Sequence, residues 1–280
     1  MIIVTGAKGQ LGGDVCDLLA KQNAEYMGID IADLDITDER AVSEFFDRVK
    51  ADALIHCAAY VAVDKAEDDK ELCFAVNEKG TRNLADACRR HNIKMLYVST
   101  DYVFSGEGST PFLPDDEKGP LGAYGLSKLK GEEAVRERLE RYFIVRTSWV
   151  FGEKNTNFIA TMLRLSETRN ELNVVADQVG SPTYARDLAR LLCDMIKTEN
   201  YGVYHGTNEG FCSWYELAKK TFEVAGKEVK VNPVASEEFP TRAVRPKNSR
   251  LSKECLTKNG FERLPHWEDA VERYLGNILR

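Results

Sequence analysis

Several signals of common protein classes are missing from this sequence of 280 residues. Basic residues do not predominate: the formal net charge is −7, which argues against a nucleic-acid or anionic-membrane partner. No apolar run approaches the roughly 18 residues that a membrane span needs. The chain starts directly with an apolar strand pattern and has no basic n-region, so we expect no signal peptide.

Cysteine and histidine are present but form no metal or redox motif. The seven cysteines are scattered, without a C-x-x-C pair, which favours free thiols in a reduced, cytoplasmic protein. The four histidines lie far apart and show no H-x-x-x-H spacing, so we expect structural histidines and predict no metal site. The G-x-S-x-G of acyl-transfer enzymes and the G-K-[ST] ending of a P-loop are also missing.

The first twelve residues carry the clearest functional pattern. Residues 2–4 are typical of a buried parallel strand, and a helical spacing of apolar residues starts at Val15. Between them lie Gly6, Gly9 and Gly12. A strand, a glycine turn and a helix N-terminus together make a phosphate cradle, because glycine lets the backbone approach an anion and the helix start presents free N–H groups. Three glycines in such a turn can also be purely structural.

Strands and helices alternate along the first half of the chain. Apolar strand patterns at 25–30, 52–59 and 94–100 are separated by helical patterns at 38–50 and 65–91. This alternation predicts an α/β fold, a Rossmann-type doubly wound parallel sheet. In such sheets ligands bind at the carboxyl ends of the strands, so residues that follow the strands should converge.

The second half contains no further glycine-rich cradle. We therefore predict a dinucleotide-binding Rossmann domain over 1–150, with return segments near 158–176 and 201–207. Residues 151–280 are predicted to form mainly a smaller α/β substrate-binding subdomain. Residues 228–264, which three prolines interrupt, are predicted to be irregular.

An acid closes the second predicted strand. Asp30 lies eighteen residues after Gly12, close to the spacing at which a nucleotide fold places its ribose-binding carboxylate. An acid there binds the ribose hydroxyls of NAD and repels the extra phosphate of NADP. Because other aspartates follow closely, Asp30 fits a solvated acidic loop equally well.

A tyrosine and a lysine share one face of a later helix. The helix follows a Gly- and Pro-rich loop at 105–123, and Tyr124 and Lys128 stand four residues apart in it. Such pairs are common on helix surfaces, but this one follows a Thr100 that ends the fourth strand. Nearby positive charges stabilise a phenolate, so Lys128, together with the positive nicotinamide of an oxidised cofactor, is expected to lower the pKa of Tyr124 and suit it to proton transfer.

Together these motifs resemble those of the extended short-chain dehydrogenase/reductases: T-G-x-x-G-x-x-G at 5–12, Thr100, and Y-x-x-x-K at 124–128. More narrowly, segments along nearly the whole chain are similar to the dTDP-4-dehydrorhamnose reductase family. One departure is Val61, where the family commonly has a threonine beside the nicotinamide. The similar segments are AAYVAVDKAE (58–67), STDYVFSG (99–106), YGLSKLKGE (124–132), RTSWVFG (146–152), NFIATMLRL (157–165), DQVGSPT (177–183) and RPKNSRL (245–251).

The resemblance implies reduction of the 4-keto group of dTDP-4-dehydro-L-rhamnose to dTDP-L-rhamnose by NADH or NADPH, with NADH favoured by Asp30. It assigns Tyr124 as proton donor, Lys128 as its partner and ligand of the nicotinamide ribose, and Thr100 as the group that positions the keto oxygen. The implied cofactor contacts are Gly6, Gly9, Gln10, Leu11, Gly12, Asp30, Asp35, Ile36, Ala58, Ala59, Tyr60, Val98, Tyr124 and Lys128. The implied substrate contacts are Thr100, Asp101, Trp149, Asn157, Asp177, Gln178, Arg245 and Asn248.

The resemblance also allows a homodimer and, in some members, a Mg²⁺ ion at a subunit interface, although no motif here marks such an ion. Two other functions fit the same motifs. An epimerase or dehydratase of the superfamily recycles its NAD, whereas a reductase consumes NADH. A non-catalytic NADP-binding regulatory subunit, of the type found with methionine adenosyltransferase, need not keep Thr100, Tyr124 and Lys128 together.

Overall fold

The computed structural model describes residues 1–279. Short strands and helices alternate over the first half. In chain order they are β1 (Ile2–Thr5), α1 (Gln10–Lys21), β2 (Tyr26–Ile29), α2 (Glu39–Arg48), β3 (Ala53–His56), α3 (Lys70–Phe74), α4 (Thr81–Arg90), β4 (Lys94–Thr100), α5 (Ala123–Arg138) and β5 (Tyr142–Thr147).

Shorter strands dominate the second half. They and the helices between them are β6 (Val150–Phe151), α6 (Phe158–Ser166), β7 (Glu171–Val175), β8 (Val179–Gly180), β9 (Thr183–Tyr184), α7 (Ala185–Met195), β10 (Gly202–His205), β11 (Asn208–Glu209), β12 (Cys212–Ser213), α8 (Trp214–Ala225), β13 (Lys230–Val234), β14 (Asn248–Ser249), α9 (Glu254–Lys258), β15 (Leu264–His266) and α10 (Trp267–Ile278). Within the described part of the chain, the helices are too short or too polar to traverse a lipid bilayer.

Six of these strands form one sheet in the order β10-β5-β4-β3-β1-β2. Every neighbouring pair is parallel. The chain runs from β1 outward to β2 and then returns to the other side of β1 as β3, so the sheet reverses direction beside β1. The predicted doubly wound parallel sheet is confirmed, and its reversal point lies at the glycine turn, where such folds bind ligands.

Helices bury both faces of the sheet. On one face α1 and α7 pack with residues such as Val15 and Leu188. On the other face α2 and α4 pack with residues such as Phe46 and Leu84, together with Val135 of α5. The sheet strands are therefore apolar on both sides, as buried parallel strands require.

The helix predicted over 65–91 is interrupted. A 3₁₀ turn at Lys65–Glu67 precedes α3, and a π turn at Ala75–Gly80 separates α3 from α4. Within the π turn, the buried Asn77 accepts from the backbone N–H of Tyr60 (2.8 Å) and donates to its carbonyl oxygen (3.0 Å). The π turn carries the side chain that fixes the segment after β3, and π turns of this kind are frequent at functional sites.

The second half departs further from the sequence prediction. Residues 202–205 form β10, which joins the main sheet beside β5. Residues 158–176 form α6 and β7, and β7 pairs with β13 outside the main sheet. The segment at 228–264, predicted to be irregular, contains two strands and a helix and begins a third strand at its end. These strands find their partners far away in sequence, which explains why local patterns missed them.

Candidate active site

A cavity of about 1080 Å³ opens at the carboxyl ends of the sheet strands. Residues that follow or end five strands border it: Gly6, Asp30, Ala58, Thr100 and Thr147. Its volume lies slightly above the usual range of about 300–1,000 Å³ for ligand sites, so it has room for a dinucleotide and part of a second ligand.

The glycine turn is packed too closely for any other residue. Gly6 has a φ of +67°, and a Cβ added there would lie 2.8 Å from the Ala58 backbone nitrogen. A Cβ on Gly12 would overlap the Gly6 carbonyl group, whose carbon it would approach to 2.7 Å. Helix α1 starts at Gln10 with Gly9 as its N-cap and no side-chain cap. Its first N–H groups are thus available to an anion, which fits the diphosphate of a dinucleotide.

Asp30 lies at the far end of this cradle. Its Oδ2 accepts from the Lys8 backbone N–H at 3.0 Å, and its Oδ1 accepts from the Ile31 N–H at 2.9 Å. Both Asp30 and Lys8 border the cavity. The carboxylate is therefore tied to the glycine turn through the Lys8 N–H and to its own loop through the Ile31 N–H.

Every residue that the sequence predicted for the cofactor borders this cavity. They are Gly6, Gly9, Gln10, Leu11, Gly12, Asp30, Asp35, Ile36, Ala58, Ala59, Tyr60, Val98, Tyr124 and Lys128. Val61, the departure from the family pattern, also borders the cavity and is 68% exposed.

Thr100, Tyr124 and Lys128 also meet in the cavity. Thr100 ends β4, and the other two stand in the first two turns of α5. The Tyr124 ring lies edge-on to the Tyr102 ring, with centroids 5.5 Å apart. Lys128 is buried; its Nζ donates to the Val98 carbonyl oxygen at 2.8 Å and lies 4.1 Å from the centre of the Tyr97 ring.

Burial dominates the acid–base chemistry of the pair. It lowers the pKa of Lys128 to about 7, against the opposing effect of the Glu132 carboxylate. Burial also raises the pKa of Tyr124 well above its usual range. A hydrogen bond with the Thr100 hydroxyl opposes this rise only in part. The lowering of the Tyr124 pKa that the sequence predicted is therefore not found. A tyrosine that keeps its proton at neutral pH is suited to donate it.

Asp101 is a second perturbed group beside Thr100. It is buried, accepts from the Thr100 hydroxyl at 3.0 Å, and burial raises its pKa to about 6. The pKa of Asp101 is thus higher in the folded chain than its value of about 3.9 in the unfolded chain. Between about pH 4 and pH 6 the unfolded chain therefore binds fewer protons than the folded chain. The free energy of unfolding of the wild-type protein falls as the pH rises through this range.

We expect Asp101→Asn to raise the free energy of unfolding by up to about 3 kcal/mol above pH 6, since two pKa units correspond to this amount. Below pH 4 both side chains are neutral and the gain should vanish. Thermal unfolding of both proteins at pH 8 and pH 4 measures the difference. An equal difference at the two pH values would show that Asp101 is not held in a destabilised carboxylate form.

Two tryptophans form one wall of the cavity. Trp149 has a φ of +49°, a strained backbone for a bulky residue, and its ring stacks on Trp214 with centroids 3.6 Å apart. Phe158 packs beside Trp214 at 4.7 Å, and all three border the cavity. The sequence pointed to Trp149 but missed Trp214, whose only local signal is its place directly after the helix cap Ser213.

Arg245 reaches the cavity from a distant loop. Its Nη2 donates to Asp64 Oδ2 at 2.8 Å, and the neighbouring Ala243 N–H donates to Asp64 Oδ1 at 3.1 Å. Arg242 forms a further ion pair with Asp68. The loop is thus fastened to the segment after β3, and the Asp64 carboxylate holds the Arg245 guanidinium beside the cavity.

Other predicted substrate residues do not border the cavity. Asn157 caps α6 and donates to the Gly152 carbonyl oxygen. Gln178 bonds to Trp214 and Ser236, and Asn248 donates to the carbonyl oxygens of Glu107 and Thr110. Asp177 accepts from Ser236 and pairs with Lys247. These polar side chains have structural partners, and Gln178 acts on the cavity only through Trp214.

The buried histidines have structural partners as well. His56 lies between the hydroxyls of Thr5 (2.7 Å) and Thr81 (3.1 Å), and burial lowers its pKa to about 3. A neutral imidazole therefore ties β1 and β3 to α4. Among residues 1–279, no three His, Cys, Asp or Glu side chains are grouped so that they could hold a metal ion.

Comparison with known proteins gives matches over the whole chain. A family model described as the RmlD substrate binding domain matches residues 1–280. The dTDP-4-dehydrorhamnose reductase of Aggregatibacter actinomycetemcomitans is 41% identical, over 92% of this chain and 91% of its own. The dTDP-4-keto-6-deoxy-D-glucose reductase of Streptomyces niveus is 37% identical, over 96% and 94%. The crystal structure of dTDP-4-dehydrorhamnose reductase from Bacillus anthracis in complex with NADP superposes with a TM-score of 0.96 and 42% identity, covering 99% of this chain and 98% of that one.

Proposed function

This chain belongs to the dTDP-4-dehydrorhamnose reductase family, the family of the RmlD substrate binding domain, and we propose that it reduces the 4-keto group of dTDP-4-dehydro-L-rhamnose to give dTDP-L-rhamnose. It is an oxidoreductase that takes its hydride from a nicotinamide dinucleotide. The observation that carries the proposal is the meeting of Thr100, Tyr124 and Lys128 in the cavity that the glycine turn borders.

The glycine turn and the residues at the strand ends would hold NADH or NADPH. The first N–H groups of α1 receive the diphosphate, and Asp30 receives the adenosine ribose. Lys128 lies between the Val98 carbonyl oxygen and the cavity, where it would bind the nicotinamide ribose. Bound in this way, the reduced cofactor supplies the hydride that the chain itself lacks.

The protein residues then handle the proton and the developing charge. As the keto carbon gains a hydride, its oxygen becomes an alkoxide, a far stronger base than a phenolate. Tyr124, which burial keeps protonated, donates its proton to that oxygen. Thr100 orients the oxygen with its hydroxyl, and the Lys128 ammonium stabilises the phenolate left on Tyr124.

The remaining surfaces of the cavity would bind the rest of the nucleotide sugar. The stacked rings of Trp149 and Trp214 offer an apolar wall to a sugar or a base, and Arg245 offers a cation to the diphosphate. We also propose the division into a dinucleotide-binding part over 1–150 and a mainly substrate-binding part over 151–280.

One alternative is a reductase of the same chemistry that acts on the epimeric keto-sugar. The Streptomyces niveus relative, a dTDP-4-keto-6-deoxy-D-glucose reductase, motivates it. A second alternative is an epimerase or dehydratase that regenerates its NAD. The two differ from the main proposal in product configuration and in cofactor consumption respectively.

An oxidation assay with NADH and with NADPH, run on a panel of nucleotide 4-keto-sugars with product analysis, tests the proposal. We expect stoichiometric cofactor oxidation with dTDP-4-dehydro-L-rhamnose and dTDP-L-rhamnose as the product. Turnover of the sugar without net cofactor oxidation would instead identify a recycling enzyme. Cofactor oxidation with dTDP-4-keto-6-deoxy-D-glucose but not with dTDP-4-dehydro-L-rhamnose would identify the epimeric substrate.

Cofactor preference tests the role of Asp30. We expect Asp30→Asn to raise the ratio of kcat/KM for NADPH to that for NADH about tenfold, because it removes the charge that repels a ribose phosphate. Glu39→Gln is the matched control: it changes the net charge equally, but Glu39 starts α2 and does not border the cavity. A ratio that stays within twofold in Asp30→Asn would remove Asp30 from the ribose site, as would a wild-type preference for NADPH of tenfold or more.

A further inference from the structure

The helix face that carries Tyr124 and Lys128 continues one turn further, to Glu132. The three residues are spaced four apart, so their side chains follow one another along one side of α5. Glu132 is 1% exposed and does not border the cavity. A buried carboxylate is costly unless it is paired and hydrogen-bonded, so its surroundings should explain why it is there.

Glu132 bonds to both strands beneath the helix. Arg146 of β5 is fully buried and donates two hydrogen bonds to the Glu132 carboxylate, from Nε to Oε1 and from Nη2 to Oε2, each 2.7 Å long. Ser99 of β4 donates its hydroxyl to Oε1 at 2.6 Å. Ser99 and Arg146 face each other in the sheet, and the next pair in the register is Thr100 and Thr147. The carboxylate is thus fixed one residue away from Thr100.

Arg146 extends this network to the loop that precedes α5. Its Nη1 donates to the Pro114 carbonyl oxygen at 2.8 Å and lies 3.4 Å from His205 Nε2. Because a guanidinium only donates, the His205 Nε2 accepts and its Nδ1 donates to the Ser252 carbonyl oxygen at 3.1 Å. Burial holds the pKa of His205 well below its usual range, so this histidine is neutral and Glu132 is the carboxylate that balances Arg146.

We propose that Glu132 is a positioning residue of the reductase: through Arg146 and Ser99 it holds the helix that carries Tyr124 and Lys128 in register with the strand that ends in Thr100. This role rests on the proposed function. Stability gives little reason for the arrangement, since a buried ion pair often costs about as much to desolvate as it returns. Catalysis gives a strong one, because a shift of about 1 Å in a reacting group can cost about a hundredfold in rate.

The charge of Glu132 supports the same role. It favours the ammonium form of Lys128 against the burial that lowers the pKa of this lysine. The other titratable groups that face Lys128 are uncharged near neutral pH, because burial lowers the pKa of the histidine and raises the pKa of the thiols and phenols. They are His56 of β3, Cys57 after it, Cys73 of α3, Tyr97 of β4 and Tyr124 of α5.

Glu132→Gln tests the proposal, because it keeps the shape of the side chain and removes the charge. We expect kcat with dTDP-4-dehydro-L-rhamnose to fall about 10- to 100-fold. The dissociation constant for NADPH, measured by fluorescence titration, should change less than about threefold. The alkaline limb of the kcat–pH profile should move down by about one unit, since Lys128 loses its proton sooner.

A second buried carboxylate provides the matched control. Asp187 of α7 also accepts a two-pronged bond from an arginine, Arg273 (2.9 and 2.7 Å), and a third bond from Asn208 (2.8 Å). It lies outside the cavity, and Arg273 and Asn208 do not belong to α5. We expect Asp187→Asn to lower the Tm less than Glu132→Gln, because Arg273 is partly exposed and keeps its bond to Asp269, and to leave kcat and the pH profile at wild-type values.

Ser99→Ala is the milder variant and decides the matter if Glu132→Gln does not fold. It breaks only the bond between Glu132 and β4, so kcat should fall about threefold to tenfold with the pH limb unmoved. If Glu132→Gln keeps the wild-type kcat and pH limb, Glu132 is only structural and the proposal is wrong. If Glu132→Gln does not fold, a wild-type kcat in Ser99→Ala has the same meaning. A wild-type protein that oxidises neither NADH nor NADPH with the keto-sugar would overturn the proposed function itself.

Discussion

Tyr124→Phe is expected to reduce kcat about a thousandfold while the protein stays folded and keeps its affinity for NADPH. The hydroxyl is the proton donor of the proposed reaction, and general acids contribute about 10²- to 10⁴-fold to rate. The phenyl ring that remains still packs edge-on against Tyr102, so neither the helix nor the cofactor cradle loses a packing contact. Single-turnover absorbance of NADPH and a fluorescence titration separate the chemical step from binding.

Tyr204→Phe is the control for this prediction. It removes the same atom from a buried tyrosine of β10, whose hydroxyl donates to the Asn200 carbonyl oxygen at 2.6 Å. Neither Tyr204 nor Asn200 borders the cavity. The substitution should cost about 1 kcal/mol of stability for the lost hydrogen bond and leave turnover unchanged. If Tyr124→Phe kept more than a tenth of the wild-type kcat, Tyr124 would not be the proton donor, and a water or Thr100 would have to supply the proton.

Gly12→Ala is expected to have the second large effect, the loss of dinucleotide binding. The new methyl group would overlap the Gly6 carbonyl group, which belongs to the backbone and has no rotamer by which to move away. The glycine turn must shift, so the N–H groups of α1 no longer converge on the diphosphate. We expect NADPH affinity to fall at least about a hundredfold and the unfolding free energy to fall by about 1–3 kcal/mol, as in other overpacked sites.

The adjacent residue gives a control one position away. A Cβ on Gly13 would approach only the far end of the Lys154 side chain, at 2.7 Å, and that side chain is flexible and partly exposed. Because alanine is a better helix former than glycine by about 1 kcal/mol, Gly13→Ala should be neutral or slightly stabilising and should bind NADPH normally. Gly9→Ala, whose Cβ would lie 3.0 Å from the Gly6 oxygen, should fall in between. Equal NADPH affinities in the three variants would show that the turn is not the phosphate cradle.

The sequence predicts the position of some site residues better than others, and every residue that it predicts for the cofactor borders the cavity. Most of these residues lie on segments that directly follow a strand, such as Gly6 and Asp30, and the parallel sheet brings all such segments to one edge. Fewer of the residues predicted for the substrate border the cavity. Asn157, Gln178 and Asn248 are polar residues in family-like segments, yet each bonds to a partner distant in sequence and none borders the cavity.

The acid–base properties of the site show the same limit. A lysine four residues from a tyrosine suggests a lowered tyrosine pKa, but the solvent exposure of both groups cannot be read from the spacing. The fold buries Lys128 and shields Tyr124 beneath Tyr102, and burial then raises the tyrosine pKa and lowers the lysine pKa. The reaction favoured by this outcome is proton donation, the direction that a reductase needs.

The sequence by itself determined the doubly wound sheet, the glycine cradle and the Thr100, Tyr124 and Lys128 set, because each depends on local periodicity and short spacings. The tertiary structure alone decided which side chains support that set. Glu132 bonds to Arg146 and to Ser99, which are 14 and 33 residues away in the sequence. Arg245 bonds to Asp64, 181 residues away. Trp149 stacks on Trp214, and together they form one wall of the cavity. Such contacts follow from the packing of the whole chain, which no local pattern specifies.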